Sequence, residues 1–499
     1  MIRNVIKLIV NTLILFSFTI SLTSCVHNYT SDNTVQIPED SSSSLPPYEI
    51  VWYHMNSPQK DTELILKEVN KYLKKKMNAT LKLELIDANN YDKEITSVIS
   101  SGRKFDICFT SAWINSYNRN VIKGSFIEMD FLLENYGKGT LRCIPKVLLD
   151  GARVNGKVYA IPSIKELSHQ YCITFNKKYL DKYGFDASNI KVLDDLSPML
   201  EVIKKKEPTV VPYLVFPYSC HAFSLPMERI DEQVPSALYI DNRTNYKLVN
   251  TFETPEFVHY ASLMHNWYNK GYILQNAASL VSIEDYKKSG TWFAGAAICN
   301  AEDSNSISTM YGYDVLNIPI CKPFIAKKDI EYHMLAISKT SKDPNRAMMF
   351  LDLLNTDEYL YNLLAFGIEG THYRKVSEKV IDISNDGYSI ENYTFGNINL
   401  SYLFTSDNKK QGGSTSESDS EATISPLLKF SFDPTPVESE ITKITAVTEE
   451  VEGPIFVGAV DPANYIPKVI EKYEKAGLGI VMKEQQKQLN QWIAQKSGQ

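Results

Sequence analysis

The chain has 499 residues, of which 43% are hydrophobic and 22% are charged, and its formal net charge is -7. This length exceeds what one compact core usually supports, so two globular lobes with tails are expected. The acidic balance argues against nucleic acid as a partner, because neutralising phosphates requires clustered Lys and Arg side chains.

The N-terminus has the pattern of an export signal. Arg3 and Lys7 precede an apolar run over residues 8–20, which is shorter than an ordinary membrane-spanning helix. The next residues, Leu22-Thr23-Ser24-Cys25, resemble the lipobox of bacterial lipoproteins, in which the cysteine sulfur receives a diacylglyceryl group. Residues 1–25 are therefore predicted to be a lipoprotein signal peptide. Cys25 would carry the lipid and hold the protein at the extracellular face of the cell membrane.

Two stretches have the composition of unstructured chain. Residues 26–47 are rich in Ser, Asp, Asn and Pro, and are predicted to form a flexible linker because they bury too little apolar surface to offset the entropy of ordering them. Residues 405–423 hold Gly412-Gly413 within a run of Ser, Glu and Asp, and are predicted to be a disordered insert.

From residue 48 onwards, strands and helices are predicted to alternate. Helices are expected after Ser57-Pro58 and at about residues 91–101. The expected strands are residues 49–53, 81–86 and 105–109. This order predicts a parallel, doubly wound sheet, in which ligands bind beyond the carboxyl ends of the strands. The loops predicted to line a cleft are residues 54–56, 87–89 and 111–113.

The chain is predicted to cross to a second α/β lobe after Pro162 and to return near residue 331, which gives a hinge and a cleft. Amphipathic helices follow towards the C-terminus, with Ile441 and Ile444 on one apolar stripe. The predicted domains are lobe 1 at 48–165, lobe 2 at 166–330, a return to lobe 1 at 331–390, and completion of lobe 2 with a helical C-terminal domain at 391–499.

Several segments, taken in order, resemble one protein family. They are residues 105–113, 155–162 (Asn155-Gly156-Lys157-Val158-Tyr159-Ala160-Ile161-Pro162), 252–256, 267–272 (Trp267-Tyr268-Asn269-Lys270-Gly271-Tyr272), and the run from 430–433 through 458–462. The mature chain resembles the extracellular solute-binding proteins of ABC importers, in the family 1 branch that includes carbohydrate-binding lipoproteins of Gram-positive bacteria. The last run resembles a poorly understood C-terminal domain of that branch.

The resemblance implies a fold, a function and a set of partners. The implied fold class is α/β, with two lobes of the type II periplasmic-binding-protein-like kind, each a doubly wound sheet, and a helical C-terminal extension. The lobes would close by hinge motion on a small polar solute, a carbohydrate or oligosaccharide, and deliver it to a membrane permease. The implied partners are the sugar, the ABC permease subunits and the membrane, through the lipid anchor. The protein would be a monomer without a cofactor, and no enzyme.

Two tryptophans are the main candidates for contacting a sugar ring. Trp113 comes just after a predicted strand on the ligand side of the sheet, and Trp292 lies near a strand that approaches the cleft in the family. Large aromatic rings provide flat apolar surface in small-molecule sites. For each ring the alternative is a place at the lobe edge or in the core.

The polar candidates flank the predicted crossover and the first strand. Lys165 and Glu166, beside the crossover, would bond the ligand or pair with each other across the hinge. His54 is a candidate from its predicted loop, with a solvated side chain as the alternative. Tyr393 and Asn397 are implied by the resemblance alone.

An extracellular hydrolase is the main rival class. Ser57 and Lys60 have Ser-x-x-Lys spacing and Ser406-Asp407-Asn408 matches a second element of penicillin-recognising enzymes, but Lys-Thr-Gly is absent. Neither a Cys-x-x-Cys pair nor a phosphate-cradling glycine loop occurs, so no metal or cofactor is expected. Paired carboxylates for glycoside cleavage stay open. A sensor lipoprotein and a peptide-binding receptor also stay open as alternatives.

Overall fold

The computed structural model describes residues 45–219, 227–299, 307–308, 311–384, 387–405 and 421–497. The predicted signal peptide with Cys25, the linker as far as residue 44 and residues 406–420 of the predicted insert lie outside the described residues. Within the described ranges, no helix is both long enough and apolar enough to span a membrane.

The first part of the chain alternates strands with helices, as its sequence predicts. Its elements are β1 (Tyr48–Met55), α1 (Thr62–Met77), β2 (Ala79–Ile86), α2 (Ala88–Ser100), β3 (Ile107–Thr110), α3 (Tyr117–Ile122), α4 (Asp130–Tyr136), α5 (Lys138–Cys143), α6 (Lys146–Gly151), β4 (Arg153–Val154), β5 (Lys157–Val158) and β6 (Ala160–Pro162). In α1, Ile65, Val69 and Leu73 recur every four residues and are buried, so one apolar face packs inward. The helix ends at Asn78, which adopts the left-handed conformation with φ 45°.

The middle part of the chain forms a second set of elements. They are β7 (Gln170–Asn176), α7 (Lys177–Tyr183), α8 (Ser197–Lys206), β8 (Val211–Tyr213), β9 (Met227–Arg229), β10 (Ser236–Tyr239), β11 (Val249–Asn250), α9 (Pro255–Asn269), α10 (Glu284–Ser289), β12 (Trp292–Cys299) and β13 (Val315–Pro319). Helix α9 begins where the Thr254 side chain accepts from the Phe257 amide and Pro255 fills the first turn.

The last part returns to strands and then ends in helices. Its elements are β14 (Phe324–Ile325), α11 (Lys327–Ile330), β15 (Met334–Ile337), α12 (Pro344–Thr356), α13 (Glu358–Phe366), β16 (Tyr373–Lys375), β17 (Val380–Ile383), β18 (Leu403–Phe404), β19 (Thr423–Ile424), α14 (Glu438–Phe456), α15 (Pro462–Ala476) and α16 (Leu478–Ser497). Short 3-10 turns lie at Ala187–Asn189, Leu193–Leu196, Thr251–Glu253, Ala277–Ser279, Asn392–Thr394, Ile398–Leu400 and Thr435–Val437.

The strands assemble into two main sheets. The first has the order β2-β1-β3-β15-β6, with β1 parallel to β2 and β3, and with β15 antiparallel to β3 and β6. The second has the order β13-β7-β12-β8, in which β7 is antiparallel to both of its neighbours. The predicted parallel pairing is therefore confirmed for the first three strands, and strands from later in the chain complete each sheet.

Each sheet carries its own hydrophobic core, which confirms the two-lobed α/β prediction. The first core combines residues from 50–167 with residues from 325–428, and the second combines residues from 173–294 with residues from 427–489. The chain passes between the cores after Leu167, before Ile325 and again at Leu427–Leu428. The C-terminal helices pack on the second core through Ile441, Ile444 and other apolar side chains.

Two predicted boundaries differ from the structure. Phe395 and Tyr402 belong to the first core, so the stretch after residue 391 stays with lobe 1 and lobe 2 resumes only near Leu427. Helix α1 begins at Thr62 and not after Ser57-Pro58, because the Ser57 hydroxyl bonds the Asp87 carboxylate at 2.8 Å and holds that segment outside the helix.

Candidate functional site

A deep cleft lies between the two lobes. We call its main space the large chamber, a cavity of about 1580 Å³ walled by the loop after β3, by α11, by β12, and by α14. Its aromatic lining includes Trp113, Phe216, Tyr218, Trp292, Tyr311, Tyr332 and Phe456. Small-molecule sites usually enclose about 300 to 1,000 Å³. The large chamber therefore has room for a ligand of several linked units.

The first-lobe side of this chamber is an aromatic wall made by Trp113 and Tyr332. Their ring centroids lie 5.8 Å apart, and the side chains remain 46% and 45% exposed. The Ala112 amide donates to the Glu331 carbonyl at 2.8 Å, and the Trp113 indole faces the Tyr332 carbonyl at 3.4 Å. The backbone thus fixes both rings while leaving their surface open, as a surface that binds apolar ring faces requires.

A second cavity of about 570 Å³, the small chamber, adjoins the large one. Both chambers are bordered by Ala112, Trp113, Arg229, Glu232, Gln233 and Lys328. The remaining wall of the small chamber includes α3 of the first lobe and Phe430, Ser431 and Phe432 of the second. Residues 229–233, here called the bridging loop, therefore lie where the two chambers meet.

The bridging loop joins the lobes electrostatically. Asp231 lies 3.7 Å from Arg119 on α3, and Glu232 lies 3.4 Å from Lys328 on α11. Nearby, the Asn118 side-chain amide donates to the Phe432 carbonyl. Polar contacts of this kind, with side chains partly exposed, are individually weak. The charged side chains of these pairs belong to neither hydrophobic core.

Lys165 lies behind the aromatic wall and does not reach either chamber. Its Nζ lies 2.9 Å from His333 Nδ1 and 5.6 Å from the Tyr332 ring centroid. Burial lowers the pKa of Lys165 to about 8, and burial together with the Lys165 charge lowers the pKa of His333 to about 3. At neutral pH the ammonium therefore donates to a neutral imidazole. Lys165 supports Tyr332 from behind.

The other polar candidates occupy different places. Glu166 is half-buried next to Lys165 and borders neither chamber. Tyr393 is 40% exposed, donates to Glu391 Oε2 at 2.6 Å, and packs its ring 5.3 Å from His333. Asn397 is only 6% exposed and caps a 3-10 turn by accepting from the Asn399 amide.

The predicted loop position of His54 is wrong. Strand β1 continues to Met55, and the His54 side chain is fully buried. Its ring packs against Trp52 at 4.8 Å and its Nε2 lies 3.0 Å from Thr394 Oγ1, while burial lowers the pKa of His54 to about 3. The histidine is a neutral part of the first core, because the surrounding aromatic rings exclude water from it.

Trp292 differs from Trp113 although both border the large chamber. It is 2% exposed, packs with Val211, Leu214 and Val315, and donates from its indole to the Tyr313 hydroxyl at 2.7 Å. Its main contacts are therefore those of a core residue.

Three comparisons with known proteins bear on this arrangement. Residues 426–494 match a family described as a domain of unknown function (DUF3502). A carbohydrate ABC transporter substrate-binding protein of Streptococcus pneumoniae is 28% identical over 459 residues, covering 90% of this chain and 91% of that protein.

Solved structures of solute-binding proteins are also similar to this chain. The crystal structure of the N-glycan transport solute-binding protein NgtS from Streptococcus pneumoniae is 27% identical, with a TM-score of 0.80 over 90% of this chain and all of that one (100%). NgtS in complex with Man1GlcNAc is 26% identical and matches with a TM-score of 0.73, and in complex with Man5GlcNAc it is 27% identical and matches with 0.70. Both complexes cover 90% of this chain, and 100% and 99% of their own.

Over nine tenths of its length the chain is similar to solute-binding proteins of ABC transporters. The predicted recognition and the type II two-lobed fold are confirmed by these likenesses. In such a solute-binding protein the cleft between the lobes is the place where a ligand is enclosed, since hinge closure buries it from water.

Several residues of the cleft escaped the sequence analysis. Tyr332 lies at the predicted return to lobe 1 near residue 331, and no local pattern marks its ring as exposed in the cleft just before β15 begins at Met334. The bridging loop reads Arg229-Ile230-Asp231-Glu232-Gln233, and its density of opposite charges was the one signal available. Nothing in the sequence pattern connects it to Arg119, which lies far away along the chain and becomes its neighbour only through the fold.

Proposed function

We propose that this protein captures a neutral oligosaccharide in the large chamber and delivers it to a membrane permease. The single observation that carries the proposal is the aromatic wall, where Trp113 and Tyr332 present open ring surface inside an interlobe cleft. Exposed aromatic rings in a cleft are costly to leave in water unless a ligand covers them. The apolar faces of pyranose rings suit such surfaces.

The charges of the large chamber favour a neutral ligand. Its lining includes the carboxylates of Glu232, Glu449, Glu450 and Glu452, together with Asp329, whose pKa burial raises to about 7, against the cations of Arg229, Lys287 and Lys328. Hydroxyl groups both donate and accept, so they can bond groups of either sign. An acidic sugar would meet an excess of carboxylates, which disfavours it.

The relatives support the same ligand class. The curated relative bears the name of a carbohydrate transporter component, and NgtS has been crystallised with Man1GlcNAc and Man5GlcNAc. A chamber of about 1580 Å³ matches a ligand of that extended kind. The proposal for this chain is therefore a class of ligand, the neutral oligosaccharides.

We further propose that Cys25 carries a lipid anchor and that residues 26–47 form a flexible linker between the anchor and the folded lobes. The apolar run and the lipobox-like tetrapeptide at 22–25 support the anchor. A tethered receptor stays close to its permease, which raises its effective concentration there. Radiolabelled palmitate should enter the wild-type protein in a bacterial host and should not enter Cys25→Ala.

A thermal-shift screen tests the ligand class. The panel contains Man5GlcNAc, Man1GlcNAc, maltopentaose, an oligomer of uronic acids and a pentapeptide. A ligand present at about 100 times its dissociation constant stabilises the folded state by about 2.7 kcal/mol. We expect a shift with at least one neutral oligosaccharide and none with the uronate. A shift from the peptide alone, or from the uronate alone, would overturn the proposal.

A further inference from the structure

The C-terminal domain of unknown function reaches the cleft itself. Its first long helix, α14, contributes Thr448, Glu449, Glu450, Glu452, Gly453, Pro454 and Phe456 to the wall of the large chamber. Before the helix, Phe430, Ser431 and Phe432 contribute to the small chamber. A domain that only stabilised the second lobe from behind would not line both chambers.

Helix α14 holds the bridging loop through an ion pair. Glu452 Oε1 lies 2.7 Å from Arg229 Nη2, and both side chains are largely buried, at 18% and 17% exposure. The same guanidinium donates through Nη1 to the Glu232 carbonyl at 2.9 Å. Arg229 is therefore fixed between the helix and the loop, at the point where the two chambers meet. Charge-assisted hydrogen bonds at such short distances are among the stronger polar contacts in proteins.

Two further contacts fix the same region. The Thr448 hydroxyl donates to the Gln233 carbonyl at 2.9 Å and lies 3.1 Å from the Tyr473 hydroxyl on α15. Gly453 faces Pro217, and even a methyl group placed there would lie 3.4 Å from the proline ring. The helix thus approaches the 214–219 segment closely, and that segment also lines the large chamber. Both ends of the bridging loop, Arg229 and Gln233, are held by one helix.

We propose that the C-terminal domain, residues 426–494, is a specificity element of the ligand site, in which Glu452 and Thr448 position the bridging loop so that Arg229 and Glu232 meet the ligand's hydroxyl groups. This inference rests on the proposed function. Arg229 contacts the ligand, and Glu452 is a positioning residue that acts through it. The loop also bears Asp231 and Glu232, which face Arg119 and Lys328 across the cleft, so its position couples ligand contact to lobe closure.

The test uses Glu452→Gln, with Glu438→Gln as the matched control. Both substitutions remove one carboxylate from α14, but Glu438 lies exposed in the first turn, away from both chambers. The probe is the neutral oligosaccharide of the panel above that binds the wild-type protein most tightly, titrated calorimetrically. We expect Glu452→Gln to weaken binding about tenfold and the control to stay within about twofold of wild type.

A double-mutant cycle separates positioning from general destabilisation. If Glu452 acts through Arg229, adding Glu452→Gln to Arg229→Gln should weaken binding no further. Independent, additive effects of the two substitutions would overturn the positioning role.

Thr448→Val is the second variant, in case Glu452→Gln does not fold. It deletes the hydroxyl bonded to Gln233 and should weaken binding about threefold.

The possible outcomes distinguish the two proposals. If the wild-type protein binds no neutral oligosaccharide, the proposed function fails, and this inference with it. If the wild type binds a sugar but Glu452→Gln and Thr448→Val bind it equally well, the proposed function stands and the role of the C-terminal domain is overturned.

Discussion

The two faces of the cleft differ in chemistry. The first-lobe face presents the open rings of Trp113 and Tyr332, whereas the second-lobe face combines rings of its own, which include Tyr218 and Tyr311, with Arg229, Glu232 and the carboxylates of α14. Apolar ring contact supplies affinity for many sugars with little discrimination, while polar contacts reject ligands that leave them unpaired. Both lobes therefore offer ring surface, and the second lobe adds most of the polar groups, so full binding requires closure of the two faces on the ligand.

The largest expected effect separates the two cleft tryptophans. Because Trp292 is packed in the second lobe and its indole bonds Tyr313, Trp292→Ala should lower the free energy of unfolding by about 3 to 5 kcal/mol. Urea unfolding of the ligand-free protein measures this. Trp113→Ala, on the open face, is the control and should lower the free energy of unfolding much less. Equal losses would contradict the division between a core ring and a wall ring.

The next effect concerns ligand affinity on the aromatic face. Trp113→Ala should weaken binding of the tightest panel oligosaccharide by about 30-fold or more, since a central aromatic contact is typically worth about 2 kcal/mol or more. Calorimetric titration measures the change, and Phe131→Ala, which removes an exposed ring elsewhere on lobe 1, is the control. Unchanged affinity in Trp113→Ala would remove this ring from the site.

A smaller effect tests the core behind the aromatic wall through pH. His54 is neutral in the folded protein because burial lowers its pKa to about 3, whereas the unfolded chain binds a proton below about 6.5. The contribution of neutral His54 to the free energy of unfolding is therefore complete above pH 6.5. It is lost as pH falls towards 3, by about 1.4 kcal/mol per pH unit.

His54→Phe, which suits the surrounding rings, should lower the slope of the unfolding free energy against pH by about 1.4 kcal/mol per pH unit, which is the effect of one proton. The measurement is the slope of the unfolding free energy between about pH 4.5 and 6. An unchanged slope in His54→Phe would show that His54 does not carry the acid sensitivity.

The smallest expected effect concerns the ion pairs that join the faces. Arg119→Gln removes the partner of Asp231 and should weaken ligand binding by about two- to threefold at low salt. The difference should vanish near 1 M salt, where the screening length is about 3 Å. Arg374→Gln, which breaks an exposed pair within lobe 1, should change binding at neither ionic strength. A salt-independent loss in Arg119→Gln would argue against an electrostatic link between lobes.

The sequence was informative wherever structure follows from local pattern. Local pattern located α1 and α2, and the order of strands and helices predicted the two lobes. It placed Trp113 correctly in a cleft loop, because the carboxyl ends of parallel strands share one edge. Local pattern could not locate Tyr332 or the bridging loop in the cleft, since their positions depend on contacts between segments distant along the chain.

The errors have the same cause. His54 was placed in a loop because its strand was expected to end at Tyr53, whereas β1 pairs with β2 as far as Met55 and the imidazole packs against Trp52 and Phe395. The stretch after residue 391 was assigned to lobe 2 on order alone, although Phe395 packs in the first core. Local periodicity identifies which residues are apolar, whereas the fold decides which core they enter.

A crystal structure with the panel oligosaccharide that gives the largest thermal shift tests the central claim most directly. We expect the sugar in the large chamber, with a pyranose face on Trp113 or Tyr332, hydroxyl contacts to Arg229 or Glu232, and the lobes closed around it. A sugar bound outside the cleft, or one held without contact to either the aromatic wall or the bridging loop, would contradict it.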